Sequence, residues 1–280
     1  MRCFYLIILL SGSFLFFPIR CLSQSHVVTS PEDSLRNAQY NNAVNLYYAH
    51  DDSGEALEEA KLVFTRIVDA NPRHAPALAY LGMISLESNN IAQADSFFQL
   101  SLAADSTCPE AHVGKARAYR AKLQWSAGLE EARLGVRLAP DNNLTLWELC
   151  SELLFAAEAT VTDARAKEAM MLLTRLIKLN RDDREAHLEI AKLYERFHRL
   201  ADAVTHYREV LRIGQTSDDM DVWVYTVHLD VERCLEALDM YREAADELEK
   251  YLTTIKEYGA DKEQTRKIEE QIKKLKEKGE

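Results

Sequence analysis

Between about residues 39 and 256, apolar residues recur every three to four positions in short runs separated by polar turns. The stretch ALAYLGMISLESNNIAQADSFFQLSLAADS, residues 77–106, shows the pattern clearly. It predicts two amphipathic helices joined by the polar turn ESNN, a helical hairpin with one apolar face on each helix. Such a hairpin cannot bury its own stripe, so the question is whether the chain supplies a second copy to cover it.

It supplies several. Ala60, Ala94, Gly128, Ala169, Ala203 and Ala244 are spaced by 34, 34, 41, 34 and 41 residues. Four residues after each stands an apolar partner: Phe64, Phe98, Ala132, Leu173, Tyr207 and Leu248. The first helices carry a small residue of their own at Gly82, Ala116 and Ala191, where paired helices must approach closely. Gly114, Gly128 and Gly135 also fall inside helices, where each costs about 1 kcal/mol relative to Ala, so unusually close packing is expected there.

LAYLGMISLESNNIAQADSFFQLSLAADS and HLEIAKLYERFHRLADAVTHYREVL, with the 34-residue period, resemble the tetratricopeptide repeat (TPR) family. The resemblance implies an all-α fold, a right-handed α-α superhelix or solenoid of about six hairpins. Each 41-residue interval holds seven extra residues, about two helical turns. One insert is expected to lengthen a second helix capped by Thr162 or Asp163, the other a first helix opening at Ser217–Asp219. Residues 257–280 read as a charged amphipathic helix whose stripe of Ile268, Ile272 and Leu275 caps the last repeat.

The N-terminus differs. Arg2, an apolar run from Phe4 to Phe17, and the small residues Cys21 and Ser23 form the pattern of a secretory signal peptide over residues 1–23, followed by a polar linker over 24–38. An uncleaved membrane anchor is the alternative, though the run is shorter than the roughly 20 residues a spanning helix needs. Cleavage would remove Arg2 and Arg20, taking the formal charge from −11 to −13. That acidity argues against a nucleic-acid partner. Export predicts a periplasmic or secreted protein. Cys108, Cys150 and Cys234 then remain, too few and too scattered for a disulfide framework.

No nucleophile elbow, zinc-protease or phosphate-loop motif occurs, so no catalytic residue, cofactor or metal ligand is assigned. His112 and His187 hold equivalent repeat positions and read as structural, and the pair Glu130-Glu131 reads as solvated charge. NLT at 143–145 is a glycosylation sequon in form. In proteins that resemble this one, the first helices line a concave groove that takes a protein or peptide. Mapped onto this chain, that groove comprises Met83, Leu86, Glu87, Val113, Arg117, Arg120, Glu148, Glu152, Phe155, Leu188, Lys192, Glu195, Arg196 and Arg233. Arg117 with Arg120, and Lys192 with Arg196, share helix faces and would favour an acidic partner segment, with Met83 and Phe155 exposed beside them. The alternative is that the arginines pair with Glu148 or Glu152 and join repeats. Ala79, Val113 and Leu188 stand at the groove places of the family's carboxylate clamp, so capture of a terminal carboxylate is not implied. The expected role is a non-enzymatic adaptor, with a membrane-tethered subunit or a groove-based ligand-binding protein or enzyme as alternatives.

Overall fold

The computed structural model describes residues 31–49, 54–155, 163–215 and 222–280. Those residues form thirteen α-helices and no strand. In order they are α1 (Pro31–Tyr48), α2 (Glu55–Ala70), α3 (Ala75–Glu87), α4 (Ile91–Ala104), α5 (Pro109–Ala121), α6 (Trp125–Leu138) and α7 (Asn143–Phe155). There follow α8 (Asp163–Leu179), α9 (Arg184–Arg196), α10 (Leu200–Gln215), α11 (Val222–Ala237), α12 (Tyr241–Glu257) and α13 (Lys262–Lys278). The signal-peptide segment lies outside the described residues. The expected linker is helical from Pro31 onward, where Pro31 with Glu32 and Asp33 makes a helix-start sequence.

The chain divides into two compact units, one reaching to Leu172 and the other from Leu173 to Glu280. In the first, α1 packs on α2, α3 on α4 and α5 on α6, and α7 lies against both α5 and α6. In the second, α9 pairs with α10 and α11 with α12, and α13 covers α12. The repeat positions read from the sequence are the packing positions. Ala60, Ala94, Gly128, Ala169, Ala203 and Ala244 are buried, and so are their partners Phe64, Phe98, Ala132, Leu173, Tyr207 and Leu248. Among the three-residue stripe of α13, Ile272 and Leu275 are buried and Ile268 packs against the same core.

α11 has 16 residues against 13 in α5, so the second insert lengthens a first helix. α8 has 17, against 14 in α4 and α6 but 16 in α10 and 17 in α12, which hold no insert. The remaining inserted residues, with the proposed caps at Thr162 and Ser217–Asp219, lie outside the described residues, as does the side chain of Asp163.

Four hairpin turns use one device. Asn89, Leu123, His198 and Asp239 all have φ between 55° and 60°, and the next N–H returns to the carbonyl five residues back, as in Gln124 to Tyr119 at 2.8 Å. The left-handed conformation suits Asn and costs a residue such as Leu roughly 1–2 kcal/mol. Leu123 is also 70% exposed, so it gains little by burial. Leu123→Asn is therefore expected to stabilise the protein by about 1 kcal/mol, checked by urea denaturation.

Two expectations change, those for the sequon and for Glu131, while Trp147 and the cysteines are buried as their positions imply. Thr145 of the NLT sequon is fully buried and donates its hydroxyl to the Ala139 carbonyl at 2.7 Å, so the folded unit does not present the sequon on an open loop. Glu131, in the middle of α6, is bound by His112 and Lys115 instead of being solvated. Trp147 is buried in α7. Cys108, Cys150 and Cys234 are buried thiols outside any disulfide.

Candidate functional site

The first-helix faces of the two units build different surfaces. In the unit ending at Leu172, helices α1, α3, α5 and α7 bring one continuous polar chain together. Arg117 on α5 donates from Nε to Glu148 Oε2 at 2.7 Å and from Nη1 to the Tyr47 hydroxyl at 3.0 Å. Tyr47 in turn donates to Glu87 Oε1 at 3.4 Å. Arg120, one turn on, donates from Nη1 to Glu148 Oε1 at 2.8 Å and to Glu152 Oε1 at 2.5 Å. Its guanidinium lies 5.7 Å from the centre of the Phe155 ring.

This network is mostly inside the protein. The Glu148 side chain is 3% exposed and that of Glu152 is fully buried. Two arginines facing two carboxylates satisfy the charge, which is the condition for burying any of them. Burial works to raise the Glu148 carboxyl, but the charges and hydrogen bonds of Arg120 and Arg117 outweigh it and hold Glu148 below the usual range. Glu152 goes the other way. Burial pushes it up to about 7, against the pull of Arg120 and with the help of the Glu148 charge. Its Oε2 is buried without a hydrogen-bond partner.

Gly128 explains how the carboxylate fits. A Cβ at Gly128 would stand 2.9 Å from Glu152 Oε2 and 3.2 Å from the Ala116 carbonyl oxygen. Where the other copies have alanine, this one has glycine because Glu152 occupies the space. In the other copies the positions equivalent to Glu152 are Ile84, Ala118, Leu193 and Cys234, all buried and apolar or nearly so.

The structure therefore corrects part of the expected groove. Met83 and Val113 are completely buried in the core rather than exposed, because the small residues around them let the helices close over their side chains. Arg117 and Arg120 join α5 to α7 and are already paired with carboxylates. Leu86 and Phe155 are half-buried, and Glu87 is exposed. Tyr47 escaped the sequence reading, since the first repeat lacks the pattern that would have aligned it.

In the unit from Leu173 onward, Leu188 is buried. Lys192 pairs with Glu189 at 2.7 Å and stays 41% exposed. Glu195 receives a two-pronged contact from Arg233, Nε to Oε1 and Nη2 to Oε2, both at 2.9 Å, and the Tyr207 hydroxyl donates to Oε2 at 2.9 Å. Arg233 also meets Asp230 at 2.9 Å, yet its side chain remains 55% exposed, and Arg196 is exposed. Here the basic side chains face water. Among the described residues no group of three or more His, Cys, Asp and Glu side chains is placed to hold a metal ion. Nor is any described helix long and apolar enough to cross a membrane.

Compared by sequence, the chain matches no protein-family model and no curated protein. Compared by structure, it is similar to YrrB, described as a TPR protein with an unusual peptide-binding site, at a TM-score of 0.52 and 18% identity over 68% of this chain and 91% of that one. It is similar to pilF of Pseudomonas aeruginosa at a TM-score of 0.59 and 16% identity, covering 86% of this chain and 99% of that one. The chain has the TPR fold. A thermophilic TPR protein of Thermus thermophilus, TTC0263, is similar at a TM-score of 0.53 and 18% identity, over 69% of this chain and 99% of that one. Identities this low establish the TPR architecture and leave function to the site itself.

Proposed function

We propose that this TPR-fold chain is a non-enzymatic adaptor that receives a protein or peptide partner on its first-helix faces. The observation that carries the reading is the fold it shares with YrrB, a TPR protein with a peptide-binding site. The distribution of charge refines it. Arg117 and Arg120 are committed to Glu148 and Glu152 and mostly buried, so an acidic partner segment is better suited to the second unit, where Lys192 and Arg233, though paired, keep 41% and 55% of their side chains exposed. Side chains already half neutralised by Glu189, Glu195 and Asp230 would give modest, salt-sensitive attraction, suited to recognition more than to tight binding. The N-terminal sequence adds the proposal that residues 1–23 export the chain to a periplasm or secretory lumen, where the adaptor would serve an envelope or secretion assembly.

A photo-crosslinking amino acid placed singly in the full chain, in cells, tests the reading. From Leu86 and Arg196 on first helices, one and the same partner protein is expected to be captured. From Leu100 and Met171, exposed on second helices, it is expected to be absent. Capture from the second-helix positions alone would overturn the assignment of the surface.

A further inference from the structure

Three histidines occupy the same place in three repeats, and each faces a residue 19 positions later on the partner helix. At two of them that residue is a carboxylate: His112 Nδ1 lies 2.7 Å from Glu131, and His228 Nδ1 lies 2.5 Å from Glu247. Burial works to raise both carboxyls, yet hydrogen bonds from the histidine and from a lysine hold them below the usual range. A proton on either of these histidines keeps its hydrogen bond and gains an opposite charge.

The third differs. His187 Nδ1 on α9 lies 3.0 Å from His206 Nδ1 on α10, with ring centres 5.1 Å apart. His187 Nε2 is 3.3 Å from the Arg181 carbonyl oxygen and so keeps its hydrogen. Its Nδ1 is then the acceptor, and His206 Nδ1–H the donor. One proton can be added at His206 Nε2 without disturbing this bond. A second must go to His187 Nδ1, which sets two N–H groups head to head between two like charges.

We propose that the His187–His206 contact is an acid-sensitive joint between α9 and α10, closed while at most one ring is charged and opened when both are. The charged groups around it are Asp182 from the turn before α9, and Asp202, Glu209 and Arg212 from α10. They are engaged with one another: Arg212 holds Glu209 and Asp182, both at 2.7 Å, and Arg199 holds Asp202 at 2.6 Å. No carboxylate therefore takes the place that Glu131 and Glu247 fill at the other two histidines. Tyr194 lies against the His206 ring, its centre 5.5 Å away. Burial pushes both rings below the ordinary 6.5, and a charge on His187 opposes one on His206. The unfolded chain thus takes up protons before the folded unit does, and stability is lost as pH falls below 6.5.

Hydrogen exchange of the full chain at pH 7 and pH 5, corrected for intrinsic exchange rates, tests the joint. Peptides of α9 and α10 are expected to lose protection at pH 5, while those of α5 and α6, carrying His112 and Glu131, keep theirs. His206→Glu, which rebuilds the carboxylate pair, is expected to abolish the loss. His206→Gln, which donates an amide N–H without ever carrying charge, should do the same if the first variant folds poorly. Unchanged protection of α9 and α10 in the native chain at pH 5 would overturn the proposal. So would an acid-induced loss that persists in either folded variant.

Discussion

Arg120→Ala is expected to destabilise the protein by about 3–5 kcal/mol, because it removes one of the two guanidinium groups that hold buried Glu148 ionised and the hydrogen bond that Arg120 donates to buried Glu152. The loss should be much smaller in Arg120→Ala/Glu152→Leu, which restores the apolar residue type found at the equivalent Leu193. Urea melting of the two variants separates these outcomes. Equal losses would mean that Arg120 acts by packing on Phe155 and not by charge. The same network has a definite pH signature. Glu152 rises from 4.5 to about 7 on folding, so the folded unit holds a proton that the unfolded chain releases within that window. Its stabilising effect is complete below pH 4.5 and is lost as pH rises through 7, a change on the order of 3 kcal/mol. Glu152→Gln should flatten that dependence between about pH 5 and 8 and be at least as stable as the native chain at the upper end. The same pH dependence in the native chain and in Glu152→Gln would show that Glu152 stays ionised throughout.

Gly114→Ala carries the other large effect. Phe98 of α4 is wedged between two glycines, Gly82 on α3 and Gly114 on α5. A Cβ built at either glycine would fall inside the van der Waals surface of the ring. Ordinary helix preference favours Ala over Gly by about 1 kcal/mol, so a stabilising result is the naive expectation. The ring is buried and enclosed, however, and overpacking it costs roughly 1–3 kcal/mol. The net effect is expected to be destabilising, with Phe98→Leu in the same chain recovering part of it in a double-mutant cycle. Gly135→Ala is the internal control. Its Cβ would meet Thr145 at an ordinary 3.5 Å, so this substitution should be neutral or stabilising.

Much of this protein was readable in the chain. The spacing of Ala60, Ala94, Gly128, Ala169, Ala203 and Ala244 located every second helix. Their apolar partners named the core, because a stack of hairpins can bury its stripes only at repeated positions. The stripe of α13 announced the capping helix. The pairing of the charges was not readable to the same degree. Sequence placed Arg117, Arg120, Glu148 and Glu152 near one another, but left open whether the arginines face a partner or their own neighbours.

Only the tertiary structure decided that, through Tyr47 arriving from α1 and the space beside Gly128. It also decided that Met83 and Val113 lie inside. The equivalence of His112 and His187 was visible in the sequence, whereas that of His228, and the differing partners on other helices 19 residues on, came from the structure. Periodicity fixes which face of a helix is buried, since burial repeats with the helical turn. Charge pairing depends instead on single side chains meeting across helices, at distances of about 3 Å that no repeat encodes.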